Sequence, residues 1–193
     1  MTSAARFRVV VVGEPDSCFR YCILSTEGRI VSGKNKQSEN SVSGLPRDEW
    51  VAHLSVDVGT GAVTAELNLE IHGPWVWELY DIIPPREYFE RYAGVIMVGD
   101  ISRIDSLRDL ARFIQVFDSY GAGIKPAVLV FDSSGHNARD ELRPARQMFS
   151  PRFVRIIGVD FKTGEGAARP LHWIAARVFG SNPIVRLRVE GVL

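Results

Sequence analysis

The residues best suited to chemistry follow a run of four valines in "VVVVGEPDSCFRY", residues 9 to 21. A phosphate-binding loop with the pattern G-x-x-x-x-G-K-[ST] cradles phosphates on its backbone amides, neutralises them with its lysine and holds magnesium with its hydroxyl. Gly13 matches the first glycine, but Cys18, Phe19 and Arg20 stand at the second glycine, the lysine and the hydroxyl residue. The stretch therefore has the apolar run and first glycine of a phosphate-binding loop, but it lacks the second glycine, the lysine and the hydroxyl residue.

Replacing the lysine by Phe19 removes the main attraction for phosphate. Such a charge contact contributes ~4 kcal/mol at ~4 Å in a medium of effective dielectric ~20. Asp16, if it points inward, adds repulsion of comparable order, and Glu14 is a second acid in the same loop. Because each ~1.4 kcal/mol is a factor of ten in affinity, these changes predict a loss of several orders of magnitude. Arg20 could restore some attraction by turning inward, although a cation at the hydroxyl position would repel a metal ion.

Composition limits the class of protein. The chain has 193 residues, of which 46% are hydrophobic, and this predicts one globular domain with a sizeable core. Lys+Arg and Asp+Glu both number 23, so net charge makes no case for a nucleic-acid or membrane-surface partner. A low cysteine content and the absence of any long apolar run favour a cytoplasmic or otherwise intracellular protein.

Other residues that could do chemistry lack partners at useful spacing. Ser17, Ser133 and Ser134 have no adjacent base motif for nucleophilic catalysis. Two cysteines alone cannot complete a zinc site. The four histidines, scattered along the chain, are His53, His72, His136 and His172. We therefore expect no catalytic residues and no metal site.

Hydrophobic patterning predicts alternating strands and helices. Four continuous apolar runs predict buried strands, and period-two alternation on both sides of "GTG" predicts an antiparallel hairpin. A Gly- and Ser-rich stretch at residues 28 to 49 predicts a long loop. Asp105 is the expected N-cap of a helix with an apolar stripe, and Pro144 is expected to kink a later helix or limit its start. The stripe comprises Leu107, Leu110, Ala111, Ile114 and Phe117.

Three later segments resemble one known family. "GVIMVGDISRIDSLRDL" is similar to the central strand, aspartate and helix of the Ras superfamily of small GTPases, in its Rab-like branch. "KPAVLVFDSSG" occupies the place of the guanine-reading strand and loop, and "IIGVDFKTGEGA" is similar to the last motif. The resemblance covers residues 6 to 180. It implies an α/β, three-layer Ras-like P-loop fold, with a mostly parallel six-stranded sheet and one antiparallel edge strand. Residues 181 to 193 would form a tail that adds a strand or docks elsewhere.

The resemblance also implies a vestigial nucleotide pocket. The family's N-K-x-D motif becomes Asp132, Ser133, Ser134 and Gly135, so glycine replaces the carboxylate that reads guanine. Lys162 matches the lysine of the last motif. No D-x-x-G follows the tryptophans of "HGPWVWELYDII". The pocket would comprise Gly13, Glu14, Pro15, Asp16, Ser17, Cys18, Phe19, Arg20, Asp132, Ser133, Gly135 and Lys162.

The function implied is that of a non-catalytic, small-GTPase-like interaction module or complex subunit, with guanine-nucleotide binding weak or lost and no cofactor. Protein partners would bind at the hairpin edge, the segment 75 to 92 or the tail. "GVL" at the end offers no cysteine for prenylation, so we expect no direct membrane anchor. A ciliary, trafficking or organellar assembly would suit such a protein. The expected contact residues are Trp75, Trp77, Tyr80, Tyr88, Val185, Leu187 and Val189.

Two alternatives stay open at this point. One is a divergent GTP-binding switch or slow GTPase in intracellular trafficking, which would bind GTP or GDP with magnesium through Arg20 and Lys162. The other is a receiver-like or flavodoxin-like domain, in which Asp100 after its strand would mimic a phospho-acceptor.

Overall fold

A computed structural model describes residues 5–13, 48–57, 62–72, 85–121, 123–134 and 138–181. Strands and helices alternate after an initial run of three strands. The strands are β1 (Ala5–Gly13), β2 (Asp48–Asp57), β3 (Ala62–His72), β4 (Gly94–Val98), β5 (Ala127–Asp132) and β6 (Arg155–Val159). The helices are α1 (Pro85–Glu90), α2 (Ile104–Tyr120), α3 (Ala138–Phe149) and α4 (Ala168–Ser181).

The six strands form one sheet in the order β2-β3-β1-β4-β5-β6. All neighbouring pairs are parallel except β2 and β3, which are antiparallel with Leu54 opposite Ala65. The predicted α/β class, with a mostly parallel sheet, is confirmed. Counted without β2, the five parallel strands lie in the order 2-1-3-4-5 of flavodoxin-like and receiver-like sheets, so the antiparallel β2 beyond β3 is the feature that distinguishes this sheet from theirs.

Both faces of the sheet are covered, as its apolar runs predict. On one face, Val95 and Met97 of β4 pack in a cluster with Leu107 and Phe117 of α2. On the other face lies α4, where a Cβ built on Gly94 would come 3.3 Å from Cδ1 of Ile174. The inward residues predicted for α4 are confirmed as buried: Leu171, Ile174, Ala175 and Val178.

The apolar stripe of α2 is confirmed, but its N-cap prediction is wrong. Leu107, Leu110, Ile114 and Phe117 are buried and Ala111 is partly buried.

Helix α2 begins at Ile104 with Arg103 at the N-cap, so Asp105 lies in the first turn. There its Oδ1 accepts a hydrogen bond from Arg108 Nη1 at 2.9 Å. The turn before the helix is organised by Asp100, whose carboxylate binds Ser102, and this moves the helix start upstream of the predicted cap.

Two other boundaries differ from prediction. Helix α3 begins at Ala138, well before Pro144, so this proline does not set the helix start. Strand β2 begins at Asp48 and takes the last two residues of the predicted loop, whose remaining residues lie outside the described ranges. Within the described residues, every helix is too short or too polar to cross a membrane.

Candidate functional site

The carboxyl ends of the parallel strands meet at one edge of the sheet, where ligands of such folds usually bind. Gly13 ends β1 with φ +136°, and a Cβ built there would lie 2.0 Å from the carbonyl oxygen of Val98 at the end of β4. Only glycine therefore permits this close approach of two strand ends. The remaining residues of the predicted loop, Glu14, Pro15, Asp16, Ser17, Cys18, Phe19 and Arg20, lie outside the described residues.

At the end of β5, the carboxylate of Asp132 is turned back onto protein donors. Its Oδ1 accepts hydrogen bonds from the backbone N–H groups of Ser134 at 2.9 Å and Phe161 at 3.2 Å. Its Oδ2 accepts one from Ser134 Oγ at 2.8 Å. Burial alone would raise the pKa of Asp132, but these hydrogen bonds outweigh it and lower the pKa below its ordinary value. The side chain thus ties the β5 loop to the β6 loop.

The turn after β6 is built on Asp160. Its Oδ1 accepts hydrogen bonds from the backbone N–H groups of Lys162 at 2.8 Å and Thr163 at 2.9 Å. The Thr163 bond is the main reason that the pKa of Asp160 is lowered. The N–H of Asp160 donates to the carbonyl of Glu165 at 2.9 Å, which closes the turn. Lys162 is exposed on this turn.

The end of β4 repeats the same local geometry. Asp100 Oδ1 accepts hydrogen bonds from Ser102 N at 2.9 Å and from Ser102 Oγ at 2.6 Å. Asp100, Asp132 and Asp160 therefore each bind the N–H of the residue two positions later, which is an Asx-turn. Sequence reasoning missed this shared role, although an aspartate at or within two residues of the end of each of three strands was the available signal.

The three turns define what this edge can do chemically. Each of the carboxylates accepts hydrogen bonds from N–H groups of its own loop or the next one, which holds the carboxylate oxygens in place. Within the described residues, no group of three or more His, Cys, Asp or Glu side chains could hold a metal ion. Of the predicted pocket, the structure brings Gly13, Asp132, Ser133 and Lys162 to this edge, and Gly135 lies outside the described residues.

Tyr88, which the sequence assigned to a partner surface, lies in the core. It is 4% exposed, and its ring centroid is 5.0 Å from that of Phe89 and 5.4 Å from that of Tyr92. The guanidinium of Arg91 lies 4.8 Å from the centroids of Tyr88 and Tyr92. Tyr88 and Phe89 of α1 both face the core, so Tyr88 is a packing residue. The other expected contact residues, Trp75, Trp77, Tyr80, Val185, Leu187 and Val189, lie outside the described residues.

The hairpin edge predicted as a partner surface is an edge of the sheet. Among the described strands, β2 pairs with β3 and with no other. An edge strand carries backbone groups that a partner strand could use.

Lys125 has a structural role that the sequence did not indicate. Its Nζ donates to the carbonyl oxygens of Phe89 at 2.8 Å and Glu90 at 3.2 Å, at the C-terminus of α1. The same Nζ lies 5.6 Å from the centroid of the Phe117 ring. Burial lowers the pKa of Lys125, while the charge of Glu90 opposes that shift. A contact over 36 residues of chain leaves no local signal in sequence.

A comparison of the chain with protein-family models, and another with curated proteins, found no match. The resemblance to small GTPases therefore rests on the chain's own motifs and on the order and direction of its strands.

Proposed function

We propose that this chain is a Rab-like pseudo-GTPase: a small-GTPase-like domain that has lost tight guanine-nucleotide binding and serves as a protein-interaction module or a subunit of a larger complex. Its sheet order, with β2 antiparallel at one edge, is the order that a Ras-like fold requires. The "KTGEG" stretch forms a hydrogen-bonded turn beside the loop that would read guanine. These features support the fold assignment.

The loss of guanine binding is argued from the hydrogen bonds that the Asp132 carboxylate already accepts. Gly135 replaces the carboxylate that the family uses to read the base, so Asp132 is the remaining acid of that motif. Both of its oxygens already accept hydrogen bonds, from Ser134 and Phe161. Recruiting this carboxylate to a base would break the part-buried hydrogen bond from the Phe161 N–H, at a cost of about 1–3 kcal/mol, whereas the exposed Ser134 donors would bond to water instead. The loop is therefore better suited to holding strands together than to reading guanine.

Helix α1 supports a fixed surface rather than a switch. Phe89 is fully buried, Tyr92 is 1% exposed, and Lys125 holds the last carbonyls of the helix. Nucleotide-driven switching requires a segment that the third phosphate and its magnesium can order or release. An element anchored by core aromatics and a lysine cap resists such a transition, and this suits a constitutive binding surface.

Calorimetric titration of the full chain with GDP and with a non-hydrolysable GTP analogue, each with magnesium, tests the loss of binding. We expect no saturable heat, which corresponds to a Kd weaker than about 0.1 mM. When the purified protein is denatured by heat, chromatography of the supernatant should detect no guanine nucleotide. Tight binding that Arg20→Ala or Lys162→Ala abolishes would instead establish the divergent GTP-binding switch and reject this proposal.

The interaction role needs a separate test. Affinity purification from native extract, with and without added GDP or GTP analogue and magnesium, should recover the same partners in the same amounts. Trp77→Ala tests whether the segment 75 to 92 contributes, and Lys162→Ala serves as a control on the nucleotide edge. Partners that appear only when nucleotide is added would contradict a nucleotide-independent module.

A further inference from the structure

Strand β2 has an open edge. Among the described strands it pairs with β3 alone, from Asp48 opposite Ile71 to Asp57 opposite Ala62. In an antiparallel ladder, alternate residues direct their N–H and C=O groups away from the partner strand. About half of the backbone groups of this ten-residue strand therefore point to the open side, where another strand can pair with them.

Helix α4 carries the chain towards this edge. It begins after the turn that follows β6 and packs against β5, β4 and β2. Ile174 lies over the first residue of β4, where its Cδ1 is 3.3 Å from a Cβ built on Gly94. Because β2 lies beyond β4 in the order of the sheet, the residues of α4 that reach β2 come after Ile174. Ser181 therefore ends the helix on the β2 side, at the end of the sheet where the parallel strands begin.

The chain beyond α4 has a suitable length and direction for this edge. Residues 182 to 193 number twelve and can extend over about 40 Å, whereas the ten residues of β2 span about 34 Å. Asp57, the last residue of β2, faces Ala62 at the start of β3, so it lies at the same end of the sheet as Ser181. A segment that leaves Ser181 and follows the edge would therefore run antiparallel to β2.

The two faces of β2 differ in polarity. Trp50 faces Leu69 of β3, and Leu69 faces Val9 of β1. Val9 in turn faces Gly94 of β4, which lies against Ile174 of α4. Because alternate residues of a strand lie on opposite faces of the sheet, β2 divides into two sets. The face that α4 covers holds Trp50, Ala52, Leu54 and Val56, and the other face holds Glu49, Val51, His53, Ser55 and Asp57.

Charge indicates the kind of segment that fits the edge. Residues 48 to 72 contain five acids and neither Lys nor Arg. Arg6 of β1 lies opposite Glu66, on the far side of β3 from β2, and Arg47 precedes the other end of β2 from Asp57. Asp57 faces an alanine of β3, so its row of the described strands contains no cation. A basic segment that alternates apolar and polar residues therefore complements the edge.

The chain's own segment after α4 has this composition. Its apolar residues Val185, Leu187 and Val189 alternate with Arg186, Arg188 and Glu190. If Arg186 faces Asp57, opposite charges meet across the edge. The same register places Glu190 opposite His53, and it places Leu187 and Val189 on the face that α4 covers. A shift of one residue would put both arginines on that apolar face.

We propose that residues 186 to 192 of the chain add to the open edge of β2 as a further antiparallel strand, with Arg186 facing Asp57 and Glu190 facing His53. We call these residues the tail strand. Its placement does not depend on whether nucleotide binding is lost. A partner that pairs with β2 has to displace the tail strand, and this consequence alone rests on the proposed interaction module.

A disulfide trap in the full chain tests the register. In a chain with Cys18→Ser and Cys22→Ser, the pair Ser55→Cys and Arg188→Cys should form an intramolecular disulfide, because facing residues place their Cβ atoms about 4.5–5.5 Å apart. The control pair, Val51→Cys and Arg188→Cys, lies out of register and should link at least ~10-fold more slowly. Mass spectrometry of proteolytic peptides identifies the linked residues, and size-exclusion chromatography separates linked monomers from linked dimers. Equal rates for the two pairs, or a disulfide that joins two copies of the chain, overturns the proposal.

Amide hydrogen exchange tests the tail strand without added cysteines. Arg186→Asp should accelerate exchange at the outward amides of β2 at least ~10-fold, and Asp57→Arg in the same chain should restore their protection. Lys162→Asp, at an exposed lysine on the turn after β6, is the control and should leave β2 unchanged. The proposal is wrong if those amides exchange freely in the unaltered chain, or if they stay protected in the Arg186 variant. Neither result bears on nucleotide binding or on partner recovery, which the proposed function predicts separately.

Discussion

Single residues at the strand ends set the character of the candidate site. Asp100, Asp132 and Asp160 each use a carboxylate oxygen to hold the loop that follows a parallel strand. Gly13 lets β1 end directly against Val98. These residues hold loops and strand ends together, so we expect their substitution to lower the free energy of unfolding.

Gly13→Ala should destabilise the fold by about 3 kcal/mol or more, because the new methyl would meet the Val98 carbonyl and the residue would keep a strained φ. The Val98 oxygen lies 2.0 Å from the position of that methyl. Gly123→Ala is the matched control, since Gly123 has φ +104° and nothing within 4 Å of the built Cβ. The control should lose only about 1–2 kcal/mol. Equal losses in urea unfolding would show that the contact with Val98 is unimportant.

Acid should weaken the fold partly through Asp132. Because the folded-state pKa of Asp132 lies below its ordinary value of 3.8, the stabilisation it gives is present above that value and is lost as pH falls through the folded pKa. Asp132→Asn should lower the free energy of unfolding at pH 7 by about 1 kcal/mol. It should also make the fall in the free energy of unfolding below pH ~4 less steep. Urea midpoints measured between pH 7 and pH 3 give both quantities. An acid decline as steep in Asp132→Asn as in the unaltered chain would contradict this role of Asp132.

At the scale of elements, periodicity predicted most of the strands and helices. A continuous apolar run identified β4 because both faces of a parallel sheet are covered. The first boundary of α2 was missed because the preceding Asp100 turn, rather than Asp105, organises its entry. The inward orientation of Tyr88 was missed because α1 has only six residues, too few to show a helical stripe in sequence.

Lys125→Met should loosen α1 specifically. The substitution keeps an unbranched side chain but removes the donors to the carbonyls of Phe89 and Glu90. We expect a loss of about 1–2 kcal/mol in unfolding free energy and faster hydrogen exchange at the amides of α1 and the turn that follows it. Lys162→Met, at an exposed lysine, should change neither. Uniform acceleration of exchange across the whole chain would show that Lys125 does not act on α1 alone.

At the scale of the whole molecule, the ion pair between Arg152 and Asp118 connects elements that are distant in sequence. Arg152 and Asp118 are 34 residues apart, and their side chains are only 11% and 21% exposed. Together with the bond to Lys125, this pair joins the end of α2 to the entries of β5 and β6. The fold therefore has a fixed end, near Phe153, and a loop-bearing end, near the Asx-turns.

A double-mutant cycle with Asp118→Asn and Arg152→Met should give a coupling of about 1–3 kcal/mol, because both groups are largely withdrawn from water. The same cycle at Asp105 and Arg108, whose side chains are 79% and 60% exposed, should give about 0.3–0.5 kcal/mol. Chemical unfolding of the four variants of each cycle supplies the values. Similar coupling energies at both pairs would mean that burial does not strengthen the ion pair between Arg152 and Asp118.

Sequence alone determined the α/β class, the antiparallel hairpin, the apolar faces of α2 and α4, and the absence of a complete G-x-x-x-x-G-K-[ST] pattern at residues 13 to 20. These follow from local periodicity and residue type, which need no knowledge of distant contacts. Only the tertiary structure decided that Asp132 holds Phe161, that Lys125 caps α1, and that Arg152 supports an exposed Phe153. Those interactions join residues dozens of positions apart, and the chain brings them together only when the sheet has formed.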